Sequence, residues 1–150
     1  MFHQSIDRIV QARKAVTVPP DMSVREACRH LVTAAEGAVA VMDGAELVGM
    51  LEDRDVIARA ICADRDTAAT RVADIMTQRP HRIAVTASLA EAMQVMGETG
   101  QHHLPVMEGA QLLGIISMRD IPTQYRLLVE RAGEFVEEDA EQYGQLTLLM

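Results

Sequence analysis

The sequence predicts an α/β (α+β) fold made of two tandem β-α-β-β-α units related by a pseudo-twofold axis, with a long C-terminal helix attached. Three observations predict it. Residues 23–55 recur as residues 88–120 without insertion or deletion, at a constant offset of 65. Identical pairs at that offset include Ser23/Ser88, Glu26/Glu91, Ala27/Ala92, Val41/Val106, Gly44/Gly109, Gly49/Gly114, Arg54/Arg119 and Asp55/Asp120. Each copy opens on a serine followed three residues later by glutamate, and continues into two apolar runs joined through a glycine. A unit used twice leaves clefts where the copies meet, and a small ligand is sought there first.

Within residues 1–15, Ile6, Ile9 and Val10 give the spacing of a short amphipathic helix. The first repeat, 16–66, starts with an extended stretch at 16–18. Ser23 and Glu26 then form a capping box, and Val24, Ala27, Cys28, Leu31 and Val32 draw one apolar stripe along the helix that follows. The run V-A-V-M-D-G-A-E-L-V-G-M-L reads as a hairpin turning at Asp43-Gly44. Its strands are apolar at successive positions, which suits coverage on both faces. A second helix begins near Glu52.

Residues 67–80 are linker and the start of the second repeat, whose body is 81–122. It repeats the pattern: an extended stretch at 83–85, a helix capped by Ser88 and Glu91 with Leu89, Ala92, Met93 and Met96 on its stripe, the hairpin L-P-V-M-E-G-A-Q-L-L-G-I-I, and a helix beginning near Ser117. Met93, Met96 and Met107 read as core filler. In residues 123–150, Tyr125, Leu128, Val129, Ala132, Phe135, Val136, Ala140 and Tyr143 recur three or four apart, which predicts a long helix with one apolar stripe and an acidic outer face.

Composition removes several function classes. The chain has 150 residues, 49% of them apolar, enough for a compact core. It has no Trp, two Phe and two Tyr, so it lacks stacking platforms for single-stranded nucleic acid. A formal net charge of -8 opposes general binding to a phosphate backbone. The only cysteines, Cys28 and Cys62, form no C-x-x-C and no His/Cys ligand cluster, which argues against metal or redox chemistry. Both are expected as small core residues in a reducing compartment. No apolar run approaches the length of a membrane span, and cytoplasmic residence is expected. No Ser/His/Asp or Cys/His set emerges, so the protein is expected not to be an enzyme.

The sharpest motifs are G-M-L-E-D-R-D, ending at Asp55, and G-I-I-S-M-R-D, ending at Asp120; each runs from a glycine-led strand end into a helix start. In the second, Ser117 can cap the helix while Asp120 stands one turn in. Free amides and the helix dipole attract an anion there, and the carboxylate can accept two hydrogen bonds from a ribose diol. The alternative reading is a second capping box. Arg82, His102 and His103 could offset a nucleotide's charge, a guanidinium by gripping phosphate bidentately, or could be exposed residues at strand starts.

Over about residues 16–121 this arrangement resembles the CBS domain, named after cystathionine β-synthase. Its marks are D-I-M-T at residues 74–77, H-L-P-V at residues 103–106, the hairpin glycines and G-I-I-S-M-R-D. The resemblance implies a non-enzymatic regulatory module. It would need no cofactor, and would bind AMP, ADP, ATP or S-adenosylmethionine in clefts between repeats, pair as a homodimer and act on an unidentified regulated protein. It also implies two sites: Ser117 and Asp120 with Thr17, Ala38 and Ile115, and Asp55 with Arg82, His103 and Met50. Glu52 departs from the pattern, standing where a hydroxyl residue is expected. A carboxylate there repels phosphate, so unequal sites are expected. The alternative function is a structural dimerisation module without a ligand.

Overall fold

The computed structural model describes residues 5–128 and 130–131. Helix α1 (Ile6–Gln11) precedes β1 (Thr17–Val18), α2 (Val24–Thr33), β2 (Ala38–Asp43), β3 (Glu46–Glu52) and α3 (Asp53–Val56). The last of these widens into a π-helical turn, Ile57–Ile61, closed by Cys62 N donating to Ile57 O at 2.9 Å. Then come α4 (Val72–Ile75), β4 (Thr77–Gln78), β5 (Ile83–Ala84), α5 (Leu89–Thr99), β6 (His103–Glu108), β7 (Gln111–Ser117) and a 3-10 turn, Met118–Asp120. The chain divides after Met118 into two units.

The repeat is reproduced at the level of register. One sheet has the order β1-β2-β3-β4 and the other β5-β6-β7. Val18 pairs with Val41 in the first and Ile83 with Val106 in the second, both parallel. Both hairpins carry an irregularity at the same place, Val41/Met42 and Val106/Met107. Their turns rest on Gly44 and Gly109, at φ 61° and 57°, where an L side chain would be strained.

Alternation along β2 and β3 explains why their apolar runs are continuous. Val39, Val41 and Leu51 join Val24, Ala27 and Leu31 of α2 in one core. Ala38, Ala40, Leu47 and Met50 face the other way, where they meet Met107 and Ile115 of the second repeat. Small alanines leave room for the longer Met and Ile side chains. Both faces are thus dry, as expected of such runs.

Of the two expected capping boxes, the one at Ser88 forms in full and the one at Ser23 forms only its hydroxyl half. Glu26 N donates to Ser23 Oγ at 3.2 Å, and at Ser88 the exchange runs both ways, at 3.1 and 2.7 Å. The amides of Val24 and Arg25, orphans of the first turn, are taken by the carbonyls of Thr70 and Thr67. The linker therefore folds back over the start of α2. It contains two elements not expected from its composition, α4 and β4. Asp74 Oδ2 accepts from Arg71 N at 3.1 Å to open α4, and Arg59 Nη1 donates to the carbonyls of Ile75 and Met76 at 3.0 and 3.1 Å to close it.

Helices α1 and α4 occupy equivalent places but serve the opposite repeats. Helix α1 precedes the first repeat and packs on β7 of the second; α4 precedes the second and packs on β3 of the first. Glycine makes both contacts possible. A Cβ on Gly114 would lie 2.8 Å from Val10 Cγ1, and one on Gly49 would lie 3.0 Å from both Met76 Cγ and Thr77 O.

Three expectations are corrected. Val32 does not lie on the buried stripe of α2 but is 86% exposed, because at 100° per residue it stands one step round from buried Leu31. Cys62 is exposed at the end of the π-helical turn and is not a core residue, whereas Cys28 is part-buried and packs against the first core. Burial pushes the Cys28 thiol up, which favours its protonated form. In the second copy the chain leaves β7 through a 3-10 turn rather than directly into an α-helix, since Pro122 lacks an amide proton and disfavours helical geometry at Ile121. Residues 123–128 are helical, and most of the long helix expected from Tyr125 to Tyr143 lies outside the described residues.

The close approaches give a test. Gly114→Ala should cost about 1–3 kcal/mol by pushing α1 off β7. Gly97→Ala, in α5 with open space around its Cβ, should stabilise by about 0.5–1 kcal/mol. Urea unfolding of the two variants beside the parent checks both signs.

Candidate functional site

At the end of β3 the chain turns into α3 through Glu52, whose amide donates to Asp55 Oδ2 at 3.0 Å. Asp55 is therefore engaged as a helix-start partner. Arg59, one turn on, has Nη1 4.0 Å from Asp55 Oδ1. Burial pushes the Asp55 carboxyl up; the Glu52 amide and Arg59 oppose this, while the charge of Glu52 adds to the rise.

His103, at the start of β6 in the other repeat, reaches across to the same place. Its Nδ1 lies 3.0 Å from Glu52 Oε1 in an ion pair that is not a well-aligned hydrogen bond. Its Nε2 lies 2.6 Å from Glu36 O. A carbonyl and a carboxylate only accept, so the surroundings favour a proton on both ring nitrogens and hence an imidazolium. Burial alone pulls the pKa of His103 down. The adjoining Glu52 carboxylate, the Glu36 carbonyl and the charge of Asp53 outweigh it, and the net shift is upward.

The chain of contacts continues. The Glu36 side chain is buried and ion-paired with Arg13 Nε, and Arg13 Nη2 donates to Ile115 O at 3.0 Å. Glu52 and Glu36 belong to the first repeat, His103 and Ile115 to the second, so this polar chain crosses between repeats. Arg13 and Glu36 were not singled out from the sequence. The one signal lies at the 65-residue offset: Glu36 corresponds to Gln101, which bonds the His81 and His103 carbonyls at 3.0 and 2.8 Å, so both copies keep a long polar side chain before their hairpin.

The remaining expected ligand residues fall in two groups. Ala38, Met50 and Ile115 are together in the buried cluster between the hairpins, each 2% exposed or less, and Ser117 is buried at the end of β7. Asp120 closes the 3-10 turn three residues on. Thr17 and Arg82 instead line open clefts at the hairpin turns. Thr17 shares a cleft of about 500 Å³ with Met42, Gly44, Ala45, Ala110 and Gln111. Arg82 shares the pseudo-symmetric one, about 550 Å³, with Asp43, Ala45, Glu46, Leu47 and Ala110. Arg82 Nη2 donates to Leu47 O at 3.3 Å, five residues from Glu52 along β3 and so about 16 Å away. Arg82 is thus not brought to Asp55 and His103. Among the described residues, no cluster of three His, Cys, Asp or Glu could hold a metal ion, and no helix is long and apolar enough to cross a membrane.

The raised pKa of His103 has a definite sign. A histidine whose folded pKa exceeds its unfolded value, near 6.5, contributes stability that is complete below that value and is lost as pH rises through the folded one. Glu52→Gln removes the partner charge. The parent should exceed this variant by about 1–3 kcal/mol near pH 6, with the gap closing toward pH 9. Paired thermal melts across that range measure it.

The CBS domain family model matches residues 7–61 and 72–122. The CBS domain-containing protein CBSCBSPB1 of Arabidopsis thaliana is 29% identical over 122 residues, which is 81% of this chain and 22% of that protein. The chain thus spans about a fifth of the length of that relative. A CBS-domain protein from Burkholderia ambifaria MC40-6 superposes with a TM-score of 0.73 at 30% identity, covering 78% of this chain and 90% of the other. The CBS domain protein PAE2072 from Pyrobaculum aerophilum, solved in complex with AMP, shares the fold at a TM-score of 0.70 and 22% identity, over 79% and 93% of the two chains. With two matched segments in step with its internal repeat, the chain belongs to the CBS domain family as a tandem pair.

Proposed function

We propose that the chain is a non-enzymatic sensor module. It binds an adenosine nucleotide or S-adenosylmethionine at the Ser117 end of the interface between repeats, and passes the resulting shift to a partner protein. Tandem CBS pairs are in general regulatory, ligand-binding modules. The observation that carries the reading is the contrast between the two strand ends. At the end of β3 the residue pairing with Glu52 is Ala38; at the end of β7 the residue pairing with Ser117 is His103. His103 crosses to Glu52, so under the pseudo-twofold Ala38 stands toward Ser117. That end therefore offers a hydroxyl and a small apolar neighbour. Ile115 supplies an apolar wall for a purine, and Asp120, three residues on from Ser117 in the sequence, is the proposed carboxylate for its ribose.

The AMP held by PAE2072 supports the ligand class. A ligand touching both repeats changes their preferred arrangement only by its differential affinity for the two arrangements. Asp120→Asn tests the assignment. As a cap alone, Asp120 would cost less than about 1 kcal/mol of stability when replaced, with affinity kept. As a ribose ligand it should cost roughly tenfold to a hundredfold in AMP affinity with near-normal melting. Calorimetric titration beside a thermal melt separates the two, and unchanged affinity sinks the assignment. No binding of AMP, ATP or S-adenosylmethionine by the parent would leave a structural dimerisation module.

A homodimer is part of the proposal. Ile57 and Ile61, on the π-helical turn, are 58% and 57% exposed, more apolar surface than that turn needs if it stays in water. Light scattering at micromolar concentration and physiological salt should return the mass of two chains; one chain's mass would count against pairing.

A further inference from the structure

The same contrast assigns a role to the other end. Glu52 occupies the position that Ser117 holds at the 65-residue offset, and His103 occupies that of Ala38. The two departures from symmetry meet each other at 3.0 Å, with side chains only 18% and 14% exposed. The cations nearby already face anions: His103 faces Glu52, Arg13 faces Glu36 and Arg59 faces Asp55. Asp53 adds a further negative charge toward His103, and Arg54 a positive one toward Asp55. An incoming anion would meet the carboxylates of Glu36, Glu52, Asp53 and Asp55 and would have to take His103 from one that is covalently tethered.

We infer that the Glu52 carboxylate is a built-in stand-in for an anionic group: it holds His103 as a phosphate would, clasps the two repeats without a ligand, and closes this end to phosphate and sulfate. Glu52 is thereby the specificity-determining residue of its cleft, and His103 is a concealed anion-binding group. Displacing a tethered carboxylate costs a diluted anion more than filling an empty position, because the tether fixes a high local concentration. The inference deepens the proposed function by naming the end that refuses a phosphate group, and it rests on that reading only for the identity of the natural ligand.

Inorganic sulfate tests it without any nucleotide, and its charge is constant from pH 5 to 8. The ring resonances of His103, assigned by their loss in His103→Asn, are followed by NMR in the parent, Glu52→Thr and Glu52→Gln, with ionic strength matched by chloride. In the parent, sulfate should leave His103 unmoved. In Glu52→Thr it should produce a saturable shift, with apparent affinity about tenfold higher than in the parent or more. Glu52→Gln, nearly isosteric, should do the same with a smaller gain and decides the matter if the threonine variant does not fold. A saturable response of His103 in the parent, or none in either folded variant, overturns the inference. Failure of the parent to bind AMP would sink the proposed function and leave this result standing.

Discussion

The dry face between the two hairpins is the constraint on which the rest depends. Ala38, Ala40, Leu47 and Met50 of one repeat pack there with Met107 and Ile115 of the other. Because the two hairpins use the same positions, Met50 stands in the first copy where Ile115 stands in the second, and Leu47 where Leu112 stands. Each fully buried aliphatic side chain contributes about 1.5–3 kcal/mol, so neither hairpin has reason to expose that face. A single repeat would present it to water, and the duplication removes it. The same condition makes polar groups costly on this face. His103 is such a group, and its position obliges the protein to supply acceptors for both ring nitrogens.

The exchange of α1 and α4 reinforces the union. Each helix covers the second hairpin strand of the repeat it does not precede, and glycine at 49 and 114 lets it come within van der Waals reach. The exchange is not quite symmetric, however. Thr77 and Gln78 leave α4 as a short strand beside β3, pairing with Met50 and Gly49. In the other sheet the matching service to β7 comes from the Arg13 guanidinium, bonded to the Ile115 carbonyl. A side chain in place of a strand carries a charge with it, and that charge is balanced by buried Glu36. The backbone carbonyl of Glu36 is in turn an acceptor for His103. Local backbone pairing and the electrostatics of the interface are thus linked through one residue.

The repeat itself was legible because register is periodic: Ser23/Ser88, Gly44/Gly109 and Gly49/Gly114 mark helix starts, turns and close approaches whose physics is local. The continuous apolar strands likewise announced coverage on both faces. What was not legible was tertiary. The elements within 71–80 are four and two residues long, too short for a periodic pattern to signal a helix and a strand, and Arg59 caps one while β3 pairs with the other. Val32 shares a helix with buried residues, yet the position of the sheet decides which face is covered. At the site, Glu52 was recognisable as a departure from the repeat and the resemblance grouped His103 with the same cleft, but their pairing was not legible, since His103 lies 51 positions away and nothing in the spacing joins them. Arg82, grouped with Asp55 and His103 from the sequence, instead turns toward the hairpin turns through its bond to Leu47.

Duplication alone gives two equal ends, and the chemistry of this chain makes them unequal through paired changes. A glutamate at position 52 with an alanine at position 103 of the other repeat would be a half-buried charge without that counter-ion; a histidine at position 103 with a serine at position 52 would have one ring nitrogen without its carboxylate. Either change alone is unfavourable, because an uncompensated charge at that depth loses hydration and gains nothing in exchange. Together they form an ion pair with a bonded backbone carbonyl behind it, and the second change removes the penalty of the first. The result is one strand end whose charges are satisfied within the chain and one whose neighbour is a neutral, small residue. The Glu52–His103 pair thus joins the two repeats at one strand end, and on the proposed function a ligand would be answered at the other.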